Sequence, residues 1–128
     1  VKMNIERFGQ DSYYADDRFT ESFRDMMRLL QKRGWFRMVT VLIEGKPAAT
    51  DIGSVYNNVY TLLAGGTSAD FMGIAKVINL FHMKRACQEQ FGEADFLCGD
   101  FSWKTMFHLT PRPLYLISNK VDISPEGA

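Results

Sequence analysis

A mixed α/β domain of the α+β kind is predicted by three features of this 128-residue chain. Residues 35–44, 48–54 and 59–64 are rich in β-branched and aromatic side chains. Turn residues at Gly45-Lys46 and Asn57-Asn58 separate them, so they read as an antiparallel three-strand meander. After Gly66 the apolar period switches from that of a strand to that of a helix. Residues 94–98 then form a short apolar run, a buried strand reached by a helical crossover and therefore parallel to its neighbour.

In chain order, Val1, Met3 and Ile5 alternate with Lys2, Asn4 and Glu6, which predicts a short strand. Residues 9–17 read as a loop. Phe19, Phe23, Met26, Met27 and Leu30 make one apolar stripe on a charged segment, a helix that Asp16 or Asp17 can cap. Gly34 fits the left-handed position after its last turn. Pro47 can open the second meander strand, because a first strand residue need not donate. The third strand closes at Gly65-Gly66. In the second helix Ile74, Val77, Ile78, Phe81 and then Arg85 or Ala86 line the buried face through about Phe91, and Gly92 ends it. Residues 101–108 read as one helical turn, 114–117 as a last strand and 124–128 as a frayed tail. With no repeat and no linker, residues 1–128 are expected to form one domain.

Composition narrows the function classes. The chain is 46% hydrophobic, too apolar for disorder. Fifteen basic and fifteen acidic residues cancel, so no global field gathers nucleic acid or an anionic membrane. No run approaches the roughly 20 apolar residues of a membrane helix, and the N-terminus lacks a signal-peptide core. Cys87 and Cys98 lie in apolar-rich segments and are expected to be buried thiols in a reducing compartment, which makes the cytoplasm the default location. No HxH, HExxH or CxxC spacing is present, so no metal site is expected.

A family resemblance becomes specific at Ala94-Asp95-Phe96-Leu97-Cys98-Gly99-Asp100-Phe101-Ser102-Trp103-Lys104. This segment resembles the aspartate, aromatic, glycine, acidic and aromatic-lysine signature of the Fem-type, polysaccharide-biosynthesis-associated acetyltransferase-like family, a branch of the GNAT superfamily. Residues 41–49 resemble the meander hairpin of the same family, and so does the passage from Ala64-Gly65-Gly66 to Gly73-Ile74-Ala75. The resemblance covers roughly residues 18–117. It implies a GNAT-like acyl-CoA N-acyltransferase fold, a transferase activity from acyl-CoA (acetyl-CoA) to an amine acceptor, and a cleft where strands splay. A Fem-type variant would instead take an aminoacyl-tRNA donor, against which the neutral charge argues. A full GNAT domain has more structure before the meander, so the expectation is an N-terminally incomplete domain or the second half of a tandem. A catalytically inactive module that dimerises through a sheet edge is the alternative reading.

Site residues follow from the resemblance and from local physics. A glycine at a helix N-terminus lets backbone N–H groups approach a phosphate, which assigns Met72, Gly73, Ile74, Ala75 and Lys76 to the acyl-CoA pyrophosphate. The rival is that Asp70 caps the same N–H groups with its carboxylate. Asp100 follows Gly99 at the end of the buried strand and is a candidate cleft-facing carboxylate or a cap of the next turn. Lys104 could neutralise an anionic substrate group or pair with Asp95 or Asp100. By the resemblance Tyr115 would protonate the departing thiolate; as a residue of the last strand it would serve the core. Asp51 shares a face with the small residues Ala49 and Gly53 and is expected to face solvent, with a cleft-lining position as the alternative. His82, beside the apolar stripe, is expected to be a satisfied histidine at the core edge.

Overall fold

The computed structural model describes residues 1–99, 102–115, 117 and 119, in a chain that divides into two compact units, Val1–Phe96 and Leu97–Ala128. The first unit is built on a four-stranded sheet of β1 (Phe36–Ile43), β2 (Lys46–Tyr56), β3 (Val59–Thr67) and β4 (Glu93–Asp95), in that spatial order. The first three strands are antiparallel, and β4 runs parallel to β3, as the crossover predicts. Both hairpins turn on residue pairs with positive φ: Glu44 (50°) with Gly45 (77°), and Asn57 (50°) with Asn58 (62°). Two left-handed residues give a turn whose twist matches that of the flanking strands. This places the first turn at Glu44-Gly45, one residue earlier than the predicted Gly45-Lys46. Likewise β3 does not close at Gly65-Gly66, because Gly66 and Thr67 still pair with Thr50 and Ala49.

Two bulges shape this sheet. The β1–β2 register shifts between Val41 and Leu42, leaving Ala48 as the extra residue on β2. A bulge turns successive side chains toward one face, and Ala48 and Ala49, both 0% exposed, enter the same core cluster with Ile74 and Ile78. The β2–β3 register shifts between Ile52 and Gly53, leaving Leu63 as the extra residue on β3. Pairing of β3 with β4 covers Val59 to Thr61 only. Among the described residues, no strand pairs with the outer edge of β3 from Leu62 to Thr67.

Helices α1 (Lys2–Phe8), α2 (Asp17–Lys32) and α3 (Ile74–Gln88) complete the unit. The strand expected at the N-terminus is a helix. Its short alternation of apolar and polar residues fits either period, and as a helix it sets Met3 against Gly66 of β3 and lets the Asn4 amide oxygen accept from the Ser12 hydroxyl (2.7 Å). Two α-helices therefore precede the meander, where one was expected. Asp16 caps α2, accepting from the N–H groups of Arg18 and Phe19. Gly34 (φ 73°) closes it, with Gly34 N–H donating to Gln31 O and Trp35 N–H to Leu30 O.

On α3 the buried row is Ile74, Ile78, His82 and Ala86, one residue every four, with Asn79 beside it. Val77 (56% exposed) and Phe81 (44%) lie outside it, contrary to the predicted stripe. Ala48 and Ala49 pack against Ile74 and Ile78 of this row, and its one polar member, His82, bonds Asp51 of β2 and Tyr60 of β3. Nor does Gly92 end α3. Gln90 (φ 57°) takes the left-handed position, with Gln90 N–H donating to Cys87 O and Phe91 N–H to Ala86 O. Gly92 instead donates to Asn58 O (2.9 Å), tying the lead-in of β4 to the second hairpin.

In the second unit α4 spans Ser102–Met106. The predicted strand at 114–117 is absent at its described residues: Leu114, Tyr115 and Ile117 are irregular and 75%, 85% and 96% exposed. Pro111 and Pro113 remove two backbone donors from the approach to this segment. Leu116 and the tail at 124–128 lie outside the described residues. Cys87 and Cys98 are free and exposed, not buried: the face of α3 that packs carries residues 74, 78, 82 and 86, and Cys87 falls off it. Among the described residues no helix is long and apolar enough to cross a membrane.

Candidate functional site

Two features of the first unit carry polar chemistry. One is the N-terminus of α3. The loop 68–73 joins it to β3, with Ser68 N–H donating to Ala48 O (2.8 Å). Gly73 is the N-cap at φ 81°, a left-handed position, and no side chain caps the helix. The capping role predicted for Asp70 is therefore not met. Asp70 donates its own N–H to the Ser68 hydroxyl (3.2 Å). Two successive turns, Phe71 N–H to Ser68 O and Ile74 N–H to Phe71 O, separate it from the first helical residue. Met72 is 98% exposed and Ala75 and Lys76 are exposed, whereas Ile74 (7%) is anchored in the core. Of the predicted anion-binding residues, four present their surface and Ile74 holds the turn. Uncapped N–H groups at the positive end of a 15-residue helix favour an anion.

The other feature is a buried chain of three polar side chains from β2, α3 and β3. His82 Nε2 lies 2.9 Å from Asp51 Oδ2, and His82 Nδ1 lies 3.0 Å from the Tyr60 hydroxyl. All three are buried, at 3%, 4% and 6% exposure. A carboxylate only accepts, so Nε2 carries the proton and donates to Asp51; Nδ1 then accepts from the Tyr60 O–H. The Tyr60 and His82 rings also stack, with centroids 5.1 Å apart. Asp51 thus does not face solvent as expected, because the crossover lays α3 across it. His82 is satisfied at both nitrogens, as the sequence led us to expect.

Glycines flank this chain. A Cβ on Gly53 would lie 2.7 Å from Thr61 O and 2.8 Å from the Tyr60 hydroxyl, and a Cβ on Gly65 would collide with Asp51 Oδ1. Beyond Tyr60 lies a cavity of about 20 Å³, the size of a single water, lined by Arg37, Arg85 and Glu89 as well as by Tyr60 and His82.

Burial pushes the Tyr60 hydroxyl well above its usual value of 10.0, the Asp51 charge raises it further, and Arg85 opposes both. The folded state thus keeps a proton that the unfolded chain releases from about pH 10. Stability is whole below that pH and falls above it as the unfolded state sheds protons. Tyr14, raised by burial, acts in the same direction. Urea unfolding at neutral and at alkaline pH should show the loss, and Tyr60→Phe should reduce it without abolishing it.

In the second unit Lys104 Nζ donates to the carbonyls of Leu97 (2.7 Å) and Cys98 (3.0 Å) and lies 5.8 Å from the Trp103 ring centroid. Its ammonium thus serves the turn that carries the Gly99 signature. Tyr115 is exposed. Asp100 lies outside the described residues. Among the described residues no cluster of three His, Cys, Asp or Glu side chains could hold a metal ion. Sequence reasoning missed the joining of Asp51 to His82 and Tyr60. The signal for it was the place of His82 in the row Ile74, Ile78, Ala86.

Comparison with known proteins places this geometry. Among solved structures, the aminoglycoside antibiotic 6'-N-acetyltransferase AAC(6')-IG from Acinetobacter haemolyticus, in its apo form, superposes with a TM-score of 0.53. Identity is 15%, over 80% of this chain and 82% of that one, so the likeness is one of fold. Glucosamine-6-phosphate N-acetyltransferase from Arabidopsis thaliana aligns at a TM-score of 0.48 and 16% identity, over 80% of this chain and 78% of that one. No curated protein matches the chain by sequence. A family model described as an acetyltransferase (GNAT) domain matches residues 2–105. The chain therefore belongs to the GNAT acetyltransferase domain family, and its function is that of an acyl-CoA N-acyltransferase.

Proposed function

We propose that this chain moves an acetyl group from acetyl-CoA to the amine of a small molecule, and that it belongs to the Fem-type branch on the strength of the signature at residues 94–104. The observation that carries the donor site is the pairing of an uncapped helix N-terminus with a strand edge that, among the described residues, no strand pairs, joined by one short loop. The diphosphate takes the N–H groups at Gly73 to Ala75, with Lys76 adding a cation. The amide-bearing pantetheine arm pairs with the free edge of β3 from Leu62 to Thr67 as an added strand would. The extra residue at Leu63 releases backbone groups from the β2 ladder, and an N–H there is suited to the thioester oxygen as negative charge develops on it.

Amine acceptors of small size are named for both solved structures above, and the first of them supports the same class here. The sequence signature supports further roles in the second unit. By the resemblance, Asp100 supplies a carboxylate, Lys104 a cation and Tyr115 a phenolic proton donor.

Acetyl-CoA should stabilise the folded chain by mass action, by about 2.7 kcal/mol at a hundredfold excess over Kd. A thermal melt with acetyl-CoA at millimolar concentration, beside a dephosphorylated pantetheine control, reads this directly. An equal melting temperature with and without the nucleotide would remove the donor site.

A further inference from the structure

We propose that the cleft lined by Gln10, Ser12, Tyr13, Ala15, Asp16 and Phe19 is the acceptor site, and that it takes an amine carrying a second positive charge. Asp16 and the rings of Tyr13 and Phe19 hold that second cation while the other nitrogen reacts. The inference rests on the acyltransferase reading and adds the chemical class of the acceptor to it. The cleft measures about 450 Å³, within the roughly 300–1,000 Å³ of small-molecule sites. Its walls come from two 3₁₀ turns, Gly9–Asp11 and Tyr13–Ala15, and from the start of α2.

Tyr13 is 78% exposed and Phe19 41%, and their rings lie 5.6 Å apart. Packing does not call for Tyr13. Its neighbour Tyr14 is the one that turns inward, edge-on to Phe19 and to Phe23, with centroids 5.4 Å from each. Two aromatic faces open to solvent make a platform for a carbon chain and a cation. Asp16 stands beside them. Its Oδ1 caps α2, and among the described residues its Oδ2 meets only Arg18 Nη2, at 3.5 Å. The Arg18 side chain is 94% exposed, so this pair contributes little and yields to a ligand cation. Residues 9–17 hold Asp11, Asp16 and Asp17 and no basic side chain, so the local field favours a cation although the whole chain is neutral.

The cleft is tied to the donor strand. The buried Ser12 hydroxyl donates to the Asn4 amide oxygen (2.7 Å), and the Asn4 backbone nitrogen lies 3.8 Å from the position of a Cβ on Gly66. Further along α1, Arg7 Nη1 donates to the Thr67 hydroxyl (2.6 Å). One helix thus borders both the cleft and the stretch of β3 assigned to the pantetheine arm. Ser12 Oγ also accepts from Tyr14 N–H, and the Thr20 hydroxyl donates to Tyr14 O, so the walls are set before a ligand arrives.

An amine attacks a thioester only as the free base. A nitrogen held as ammonium beside a carboxylate is therefore not the one that reacts. A substrate with two amines meets both demands: one stays charged in the cleft, and the other reaches the thioester at β3. The neutral nitrogen forms the amide bond as the C–S bond breaks, and the proton it sheds goes to the departing thiolate.

The test uses the whole chain, acetyl-CoA and two aliphatic amines of equal length, a diamine and a monoamine, with release of free thiol as the readout. In the wild type, KM for the diamine should lie about tenfold or more below that for the monoamine, and added salt should narrow the gap. Asp16→Asn keeps a side chain that caps a helix as well as aspartate but removes the charge. It should erase the preference for the diamine and leave KM for acetyl-CoA unchanged. Tyr13→Ala, at an exposed position, should raise KM for the diamine about threefold, and it decides alone should Asp16→Asn fail to fold. Titrating ¹⁵N-labelled chain with the diamine alone should move the amide resonances of residues 10–19.

Equal KM values for the two amines in the wild type would overturn the proposal. So would a preference that survives both variants, or a diamine titration that leaves residues 10–19 in place. A wild-type chain that binds the diamine there but neither binds acetyl-CoA nor releases thiol would instead overturn the acyltransferase reading beneath it.

Discussion

His82→Ala is expected to destabilise the fold by about 3–5 kcal/mol, the cost of leaving one member of a buried polar pair without its partner. The imidazole meets two groups at once, Asp51 Oδ2 and the Tyr60 hydroxyl, and both residues are buried. Its loss leaves a carboxylate buried and uncompensated, a phenol without its acceptor, and a void beside Ile78, the most fully buried large side chain. Against a total stability of about 5–15 kcal/mol for an ordinary domain, this is a large share. Urea unfolding gives the value. His108→Ala is the internal control: His108 is exposed, and its replacement should change stability by no more than about 0.5 kcal/mol. A loss below about 1 kcal/mol for His82→Ala would mean that the network contributes little to the fold.

Gly53→Ala should cost about 2–3 kcal/mol although it adds a single methyl group. The new Cβ would come within 2.8 Å of the Tyr60 ring and hydroxyl and 2.7 Å of the Thr61 carbonyl. A strand carbonyl held in the ladder cannot swing aside, so either the sheet opens or Tyr60 leaves His82. In either case the damage reaches Asp51, and the two effects should be non-additive with His82→Ala. Gly66→Ala provides the contrast. A Cβ there meets Met3 at an ordinary 3.5 Å, and the change should stay within about 0.5 kcal/mol. Thermal melts of the two variants side by side make the comparison.

Much of this fold was legible in the sequence, because local codes decide it. The apolar stripe of α2, its Asp16 cap, the Gly34 stop and the Asn57-Asn58 turn each depend on neighbours within a few residues. The parallel entry of β4 followed from the length of the crossover. What local reasoning missed is non-local or degenerate. The short alternation at the N-terminus suits a strand or a helix, and only Gly66 and Ser12, far along the chain, select α1. On α3, hydrophobicity favoured Val77 and Phe81, whereas the sheet selected the row containing His82. Asp51 and His82 are 31 residues apart, and nothing local pairs them. The small residues around Asp51 did signal a close approach, but not what approaches. The exposure of Cys87 follows from the same choice of helix face.

Amide chemical-shift mapping offers the sharpest check on where the donor sits. Titrating ¹⁵N-labelled chain with acetyl-CoA should move the resonances of residues 62–67 and 73–76 together, with one common affinity, while those of β1 stay in place. If those two segments stay unperturbed as the nucleotide saturates, or if the shifts gather on β1 instead, then the unpaired edge of β3 and the open end of α3 do not form the acyl-CoA site.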